Sequence, residues 1–279
     1  MKNNNEKEKK KTFIQKYAII VYIIISYAIT WSILFPLSLF YMELDFPIRE
    51  IWHSFGAVGP AISAIIVLKI KRGNSGLKHL KKSFLRRPSI KYLIFAAFPL
   101  IVFLITFSIE SFVGTFSFND FVIENRLFDF SSILLFLLVS ISYGFFEEIG
   151  WRGYLLPTFQ KRFNALISTI ILSLIWAFWH LPLFFYRYED FQLAFFPLLT
   201  FCLLLFSGSI VFTFLYNQTK GSLLPVIILH ITYDIVTSHQ TGIASIVISV
   251  IFVILDIIII VKFRWKNLSE NERIIIDEN

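Results

Sequence analysis

The chain has 279 residues, of which 56% are hydrophobic and only 16% are charged, and 33 are phenylalanine. About a quarter of the residues of a soluble domain are charged, so this composition excludes a disordered chain, a coiled coil and a nucleic-acid-binding domain. It indicates a polytopic membrane protein, in which the net charge of +7 matters less than where the charges lie. The single cysteine, Cys202, excludes an intrachain disulfide and a cysteine-based metal site.

Eight apolar segments are candidates for crossing a bilayer core, which takes roughly 20 residues per helix. They lie at about 17–41, 51–70, 91–112, 132–151, 164–186, 193–216, 222–238 and 242–262. The first is too long for the core of a signal peptide and has no small-residue cleavage site, so we expect it to be retained. The seventh is short and is the weakest as a full span. The sequence therefore predicts an all-α polytopic membrane protein with about eight transmembrane helices.

The basic residues are distributed unevenly between the two sides that these spans define. With the N-terminus in the cytoplasm, 23 of the 26 Lys and Arg residues fall on the inner side and 3 on the outer side. The positive-inside rule then favours an even number of spans with both termini cytoplasmic. The segment 69–91 carries nine of these charges, and we interpret it as a topology determinant that touches anionic lipid.

The expected organisation is a single helical membrane domain over residues 17–262. A basic cytoplasmic N-terminal tail, 1–16, precedes it, and a cytoplasmic C-terminal tail, 263–279, follows it. The longest outer loop, about 113–131, has room for one short interfacial helix. We expect a multi-pass protein of a cell membrane, in a bacterial plasma membrane, with the lipid bilayer as a partner and no nucleic-acid partner.

Ionisable residues inside apolar spans are the strongest indicators of function, because each costs about 2.5–3.5 kcal/mol on insertion scales. They form three clusters, which lie at residues 144–154, 176–180 and 230–234. Three further residues, His53, Glu110 and Asp256, lie near span ends, and we interpret them as boundary residues or local hydrogen-bonding groups.

The first cluster contains two adjacent glutamates and an arginine. Glu148 and Arg152 are four residues apart on a helix, so they share a face and are expected to form an ion pair. Glu147 points about 100° away from Glu148 and is left without the arginine. Taken alone, this motif also fits a structural charge cluster at the cytoplasmic boundary.

Two histidines add to this group. Trp176 and His180 are four residues apart, as are His230 and Asp234, so each pair shares a helical face. A carboxylate that faces a histidine orients the ring and fixes its tautomer. The three clusters together indicate a functional constellation rather than isolated packed residues.

The spacing also predicts that two of these residues lie at one depth. The midpoint between Glu147 and His180 falls between Phe163 and Asn164, next to the polar turn 160–162. If the fourth and fifth spans form an antiparallel hairpin at this turn, the two side chains lie at the same height.

One carboxylate and two imidazoles around a wet cavity are able to activate a water. Glu147 is predicted to act as general base. His180 is predicted to share the water or to bind a metal that holds it. His230, oriented by Asp234, is predicted to donate a hydrogen bond to the oxyanion of a tetrahedral intermediate. The predicted reaction is hydrolysis of an amide at the membrane, that is, intramembrane proteolysis.

Other intramembrane protease chemistries lack their residues in this sequence. It has no Gly-x-Ser-Gly of the rhomboid kind, no Gly-x-Gly-Asp to accompany Tyr233-Asp234, and no His-Glu-x-x-His. Cys202 has no polar neighbour that would support a cysteine mechanism.

The three motifs, in this order, resemble those of the CPBP family, also called Abi, which comprises CAAX proteases and bacteriocin-processing enzymes. The family pattern is Glu-Glu-x-x-x-Arg, then Phe-x-x-x-His, then His-x-x-x-Asn or a similar polar residue. Glu147, Glu148 and Arg152 match the first motif fully. Trp176 stands where the family usually has Phe, and Asp234 stands where it commonly has Asn.

The resemblance covers residues from about 132 to 238 and implies a helical membrane endopeptidase that cuts a membrane-associated protein or peptide near the cytoplasmic side. For a bacterial member it implies bacteriocin maturation, self-immunity, or regulation of surface proteins and peptide signals. The donor set of Glu147, His180 and His230 is compatible with Zn²⁺ and equally with a bare water, so the cofactor stays open.

Two functions from other classes remain open. A non-proteolytic immunity or scaffold protein would keep the fold and the polar cluster and bind a bacteriocin or its receptor. A transporter would use the buried Glu and His residues to relay protons. Within the protease hypothesis, an ionised Asp234 cannot donate a hydrogen bond as Asn does. We therefore expect Asp234 either to hold His230 protonated or to be protonated itself.

Overall fold

The computed structural model describes residues 17–187, 195–237 and 240–276. The predicted tail 1–16 and residues 277–279 lie outside this range. The α-helices in chain order are α1 Ala18–Phe40, α2 Phe46–Phe55, α3 Val58–Arg72, α4 Asn74–Leu85, α5 Ile90–Ala96, α6 Phe98–Val113, α7 Phe118–Glu124, α8 Phe130–Gly150, α9 Leu156–Gln160, α10 Ala165–Trp179, α11 Phe195–Gln218, α12 Leu224–Thr237 and α13 Ala244–Asn267. A π-helical turn, Trp151–Leu155, follows α8, and a 3-10 turn, Leu181–Phe185, follows α10. The described residues contain no β-strand, which confirms the all-α prediction.

Six helical segments among the described residues are long and apolar enough to cross a membrane. A seventh is obtained if α5 and α6, which meet at a bend of 49°, form one span. Helix α12 has 14 residues and is shorter than these segments. It occupies the predicted span 222–238, so a total of eight requires α12 as the eighth. That total and the cytoplasmic placement of both termini stay predictions.

Three spans extend at least five residues beyond their predicted ends. The second begins at Phe46 rather than at 51, and the last runs to Asn267 rather than ending near 262. The fourth runs on from α8 through the π turn to Gln160 rather than ending near 151. Pro157 has no N–H for the carbonyl of Gly153 and would crowd it in an ideal α-helix. The wider π turn lies directly before Pro157 and allows the helix to continue.

Helix α8, which carries both glutamates, is held closely between two other helices. A Cβ at Gly150 would clash with Pro60 of α3, and a Cβ at Gly144 would lie 2.6 Å from Cγ1 of Ile231 in α12. Only a residue without a side chain permits such an approach. These two contacts fix α8 on either side of Glu147.

The chain between α6 and α8 contains the short helix α7, within the loop that was predicted to have room for one. Its capping box joins Ser117 and Asp120: the Ser117 N–H donates to Oδ2 of Asp120 at 2.7 Å, and the Asp120 N–H donates to Oγ of Ser117 at 3.2 Å. The hydroxyl and N–H of Ser117 lower the pKa of Asp120 below its ordinary value. Asp129 caps α8 in a similar way, since its Oδ1 accepts from the Ser132 N–H at 2.8 Å.

The end of the bundle opposite α7 carries most of the basic residues, and polar contacts join its segments. Helix α4 lies there, and its Ser83 carbonyl accepts from the Leu223 N–H at 3.0 Å. The predicted C-terminal tail begins within α13, and residues 268–276 then fold back onto the bundle. Arg273 Nε donates to the Gln160 carbonyl at 2.8 Å.

Candidate active site

Glu147 lies in the last turn of α8 and is fully buried. Its Oε2 accepts hydrogen bonds from two indole N–H groups, those of Trp151, at 2.7 Å, and of Trp176. Its Oε1 has no hydrogen-bond partner among the described residues. The carboxylate is therefore held by one oxygen, while the other is buried and makes no hydrogen bond.

His180 ends α10 beside Glu147, as the equal-height prediction requires. Its Nδ1 lies 2.9 Å from the carbonyl oxygen of Trp176. A carbonyl only accepts, so Nδ1 carries the proton, and Nε2 of the neutral ring presents a lone pair. That Nε2 lies 3.8 Å from Oε1 of Glu147. Two acceptor atoms thus face each other across a short gap.

Glu148 forms the predicted ion pair with Arg152 and a second contact that the sequence did not indicate. Its Oε1 lies 2.8 Å from Nη1 of Arg152 and 2.8 Å from Nδ1 of His230. The Arg152 guanidinium lies between the rings of Trp176 and Phe212, 4.6 Å from each centroid. A guanidinium as deeply buried as this one is stabilised by a carboxylate partner and by contact with the faces of aromatic rings.

The predicted pair His230 and Asp234 is also brought together. Nε2 of His230 lies 3.7 Å from Oδ2 of Asp234, which is too long for a hydrogen bond. Nδ1 of the same ring is taken by Glu148. His230 therefore faces a carboxylate on each side, and its Nε2 is available to a group in the cavity.

These side chains line a cavity of about 650 Å³. That volume is within the range of roughly 300–1,000 Å³ that is usual for ligand sites. Glu147, His180, His230 and Asp234 all reach its surface. The wall beside them is largely aromatic and includes Trp176, Trp179, Phe201, Phe212 and Tyr233. The structure thus places all four predicted catalytic residues on one concave and mostly apolar surface.

The donor set does not fit a catalytic zinc site, which uses three protein ligands. Among the described residues, no three His, Cys, Asp or Glu side chains lie close enough to hold one metal ion. Glu147 and His180 offer two facing atoms, but the nitrogens of the expected third ligand, His230, face Glu148 and Asp234.

Sequence reasoning missed two features of the site. Trp151 lies four residues after Glu147, so the same-face rule that paired Glu148 with Arg152 would have found its hydrogen bond. A polar network on the cavity wall left no such signal. It joins Nδ1 of His53 to the hydroxyls of Tyr186, at 2.6 Å, and Tyr143, at 3.2 Å, and these residues are far apart in sequence.

The other two ionisable residues near span ends are buried and make hydrogen bonds with residues far from them in sequence. Glu110 accepts from the Ile243 N–H, with 3.2 Å between N and Oε2. Asp256 accepts from the Ser207 hydroxyl at 2.5 Å. Neither Glu110 nor Asp256 is among the residues that line the cavity.

Comparison with known proteins gives a family match over the same part of the chain. Residues 129–236 match the family model described as type II CAAX prenyl endopeptidase Rce1-like. This range contains Glu147, His180, His230 and Asp234, and it agrees with the segment 132–238 that the motifs had indicated.

Two curated relatives are similar to this chain. CAAX prenyl protease 2 of Methanococcus maripaludis is 29% identical over 196 residues, which are 63% of this chain and 67% of that protein. Lysostaphin resistance protein A of Staphylococcus haemolyticus is 31% identical over 127 residues, 44% of this chain and 33% of that protein. With its multiple apolar helices and its three ordered motifs, this chain is similar, over residues 129–236, to the CAAX-type proteases of the CPBP family.

Proposed function

We propose that this chain is an intramembrane endopeptidase that hydrolyses a peptide bond of a membrane-associated protein or peptide, using a water activated by Glu147 and His180. The observation that carries this proposal is the pair of acceptor atoms, Oε1 of Glu147 and Nε2 of His180, which lie 3.8 Å apart on the cavity wall. Two hydrogen bonds of about 2.8 Å each can meet at one water across that gap.

The protonation of the two acceptors determines how such a water is oriented. A carboxylate oxygen and an unprotonated imidazole nitrogen both accept, so the water donates one hydrogen to each. Its oxygen lone pair is then directed away from both residues, toward a carbonyl carbon in the cavity. Trp151 and Trp176 hold Oε2 of Glu147, which keeps Oε1 on the side of the water.

In the proposed reaction the water oxygen attacks the scissile carbonyl carbon while Oε1 of Glu147 takes a proton from the water. The carbonyl oxygen becomes an oxyanion in a tetrahedral intermediate. Glu147 then delivers the same proton to the leaving nitrogen, and the carbon–nitrogen bond breaks. The products are a carboxyl group and an amine, and Glu147 returns to the carboxylate form.

His230 is the proposed donor to the oxyanion. We place a proton on both of its ring nitrogens, because Nδ1 faces Oε1 of Glu148 at 2.8 Å and Nε2 faces Oδ2 of Asp234 at 3.7 Å. The Nε2–H is not consumed by a short hydrogen bond and can be directed at the oxyanion. Asp234 acts as a positioning residue for this ring.

We propose a glutamate-type rather than a metallo-type enzyme, since the described residues supply a positioned base but no group of three metal ligands.

We place the protein in a cell membrane. Its proposed role is the processing of a surface protein or a signalling peptide, with bacteriocin maturation or self-immunity as special cases.

The test is a comparison of the membrane peptidome and the surface proteome of cells that carry the wild type or Glu147→Gln. A matched control is Glu43→Gln, the same change at an exposed residue outside the cavity. We expect a cleaved product that is lost only in Glu147→Gln, at equal protein level. Identical profiles for all three proteins, correctly inserted, would contradict proteolysis and favour an immunity or scaffold role.

A further inference from the structure

The cavity that holds the site opens at one end of the bundle. Its described lining residues fall in the ranges 34–53, 124–147, 176–187, 201–212 and 230–240. Glu147 and His230, at its inner part, are 0% and 4% exposed, whereas Arg126, Arg187 and Gln240 are exposed. We call the end marked by Arg49, Glu124, Arg126, Arg187 and Gln240 the mouth.

Side-chain contacts join the loops of the mouth into one rim. The guanidinium of Arg126 lies 5.1 Å from the ring centroid of Phe46. Nη2 of Arg187 lies 2.9 Å from Oε2 of Glu50. The side-chain amide of Asn125 donates through Nδ2 to the backbone carbonyl of Gln240 at 2.7 Å. The first turns of α2 and the segments after α7, after the 3-10 turn and before α13 therefore meet at the same end of the molecule.

The opposite end of the bundle is filled in the described part of the chain. Leu80 of α4 is buried in the core, at 6% exposure. The Ser222 hydroxyl donates to the Arg86 carbonyl at 2.7 Å, and Asn217 donates to the Asn267 carbonyl at 2.9 Å. The described lining residues include none from 54–123, 148–175 or 213–229, so the cavity does not reach this end.

The basic residues divide between these two ends. The three Lys or Arg residues that the charge pattern assigns to the outer side are Arg49, Arg126 and Arg187, and all three line the mouth. Of the other Lys and Arg residues that the structure describes, all except Arg152, which lies beside Glu148 in the site, belong to segments of the opposite end. The positive-inside rule places the richly basic end in the cytoplasm. The mouth then faces away from the cytoplasm.

We infer that the site receives its peptide from the extracytoplasmic side of the membrane. This inference rests on the proposed function and names its substrate class: segments of exported or outward-facing membrane proteins and peptides that carry apolar residues to fill the aromatic cavity. It differs from the cleavage near the cytoplasmic side that the family resemblance implies. The difference comes from this chain's own charges and from the location of its mouth.

Single-cysteine labelling tests the inference, because Cys202 is the only cysteine to replace. In a Cys202→Ser background, Glu124→Cys and Gln240→Cys report on the mouth, and Ser75→Cys and Lys81→Cys report on the other end. All four positions are exposed. A membrane-impermeant maleimide is applied to intact spheroplasts and, in parallel, to lysed membranes.

We expect the two mouth cysteines to react in intact spheroplasts and the other two only after lysis. Reaction of the mouth cysteines only after lysis would overturn the inference. Reaction of all four in intact spheroplasts would also overturn it, because the chain would then insert in both orientations. Labelling does not depend on catalysis, so its outcome is independent of the Glu147→Gln comparison.

A second readout connects accessibility to the site. Thr237 lines the cavity at the end of α12, and Thr237→Cys places a thiol there. A small charged thiosulfonate added outside intact spheroplasts is expected to block formation of the cleaved product in this variant and not in Ser75→Cys. Continued cleavage in a Thr237→Cys protein that is shown to be modified would contradict a route through the mouth.

Discussion

Glu147 and Glu148 are neighbours in the chain, yet the structure surrounds them with different chemistry. Glu148 is bound by two groups that can carry positive charge, Arg152 and His230, each 2.8 Å from its Oε1. Glu147 is bound by two neutral indole N–H groups at one oxygen, and its other oxygen faces His180. The 100° between consecutive helical residues is enough to separate the two environments.

The difference indicates a division of roles. A carboxylate in an ion pair stabilises a buried arginine, and it is therefore not available to act as a general base. A carboxylate that neutral donors orient, with one oxygen that makes no hydrogen bond and faces His180, can accept a proton from substrate water. We therefore assign stability to the Glu148 side of the site and chemistry to the Glu147 side, and the following predictions separate the two.

The largest expected effect on stability comes from Glu148→Gln. It leaves the buried Arg152 without its carboxylate, and breaking a buried pair in this way costs about 3–5 kcal/mol. Thermal unfolding of the purified protein in detergent measures the loss. Glu147→Gln is the matched control, because a glutamine oxygen still accepts from both indoles. Equal destabilisation by the two changes would contradict the division of roles.

On the Glu147 side, His180→Ala removes one of the two acceptors that hold the water. We expect the cleavage rate to fall by about 10²-fold or more, with unfolding temperature nearly unchanged, since general-base arrangements contribute roughly 10²–10⁴-fold. The rate is measured on the peptide that the proteome comparison identifies. His79→Ala, at the opposite end of the bundle, should leave the rate unchanged. A full rate in His180→Ala would remove this residue from the mechanism.

Trp176→Phe restores the residue that is usual in the family and removes one donor to Glu147. A hydrogen bond to a charged group contributes about 1.5–3 kcal/mol, so we expect the rate to fall by about tenfold. Trp52→Phe is the control, because its indole donates at 2.9 Å to the Ile33 carbonyl away from the site. If Trp176→Phe cleaves as fast as the wild type, Trp151 alone suffices to hold the carboxylate.

Asp234→Asn is expected to have the smallest effect at its optimum pH and to change the pH profile. An amide stabilises a charged imidazole less than a carboxylate does, so activity should begin to decline at a lower pH than in the wild type. The rate of cleavage measured across neutral pH tests this. A profile that coincides with the wild type would show that the charge of Asp234 is irrelevant to His230.

Much of this arrangement could be predicted from the sequence because it depends on local helical spacing. Residues four apart share a face, which gave the pairs Glu148 with Arg152 and His230 with Asp234. The contact between Glu148 and His230 joins residues 82 positions apart, and no spacing rule reaches that far. The same is true of His53 with Tyr143 and Tyr186, which only the packing of α2 against α8 and the 3-10 turn brings together.

The span limits show a similar division. Hydropathy located the apolar segments well, since it depends on composition over about 20 residues. It did not predict that the fourth helix continues past Arg152, because that requires the π turn that accommodates Pro157. The mouth of the cavity also could not be predicted from the sequence. The three outer arginines were visible as a charge count, but their assembly around one cavity depends on the tertiary fold.

The most direct test of the central claim measures cleavage rate and unfolding temperature together for purified Glu147→Gln and Glu148→Gln. The proteins are reconstituted in lipid vesicles with the peptide identified from cells. We expect Glu147→Gln to lose about 10³-fold or more in rate at a nearly unchanged unfolding temperature, and Glu148→Gln to lose stability. If Glu147→Gln, correctly folded, cleaved within tenfold of the wild-type rate, Glu147 would not be the base.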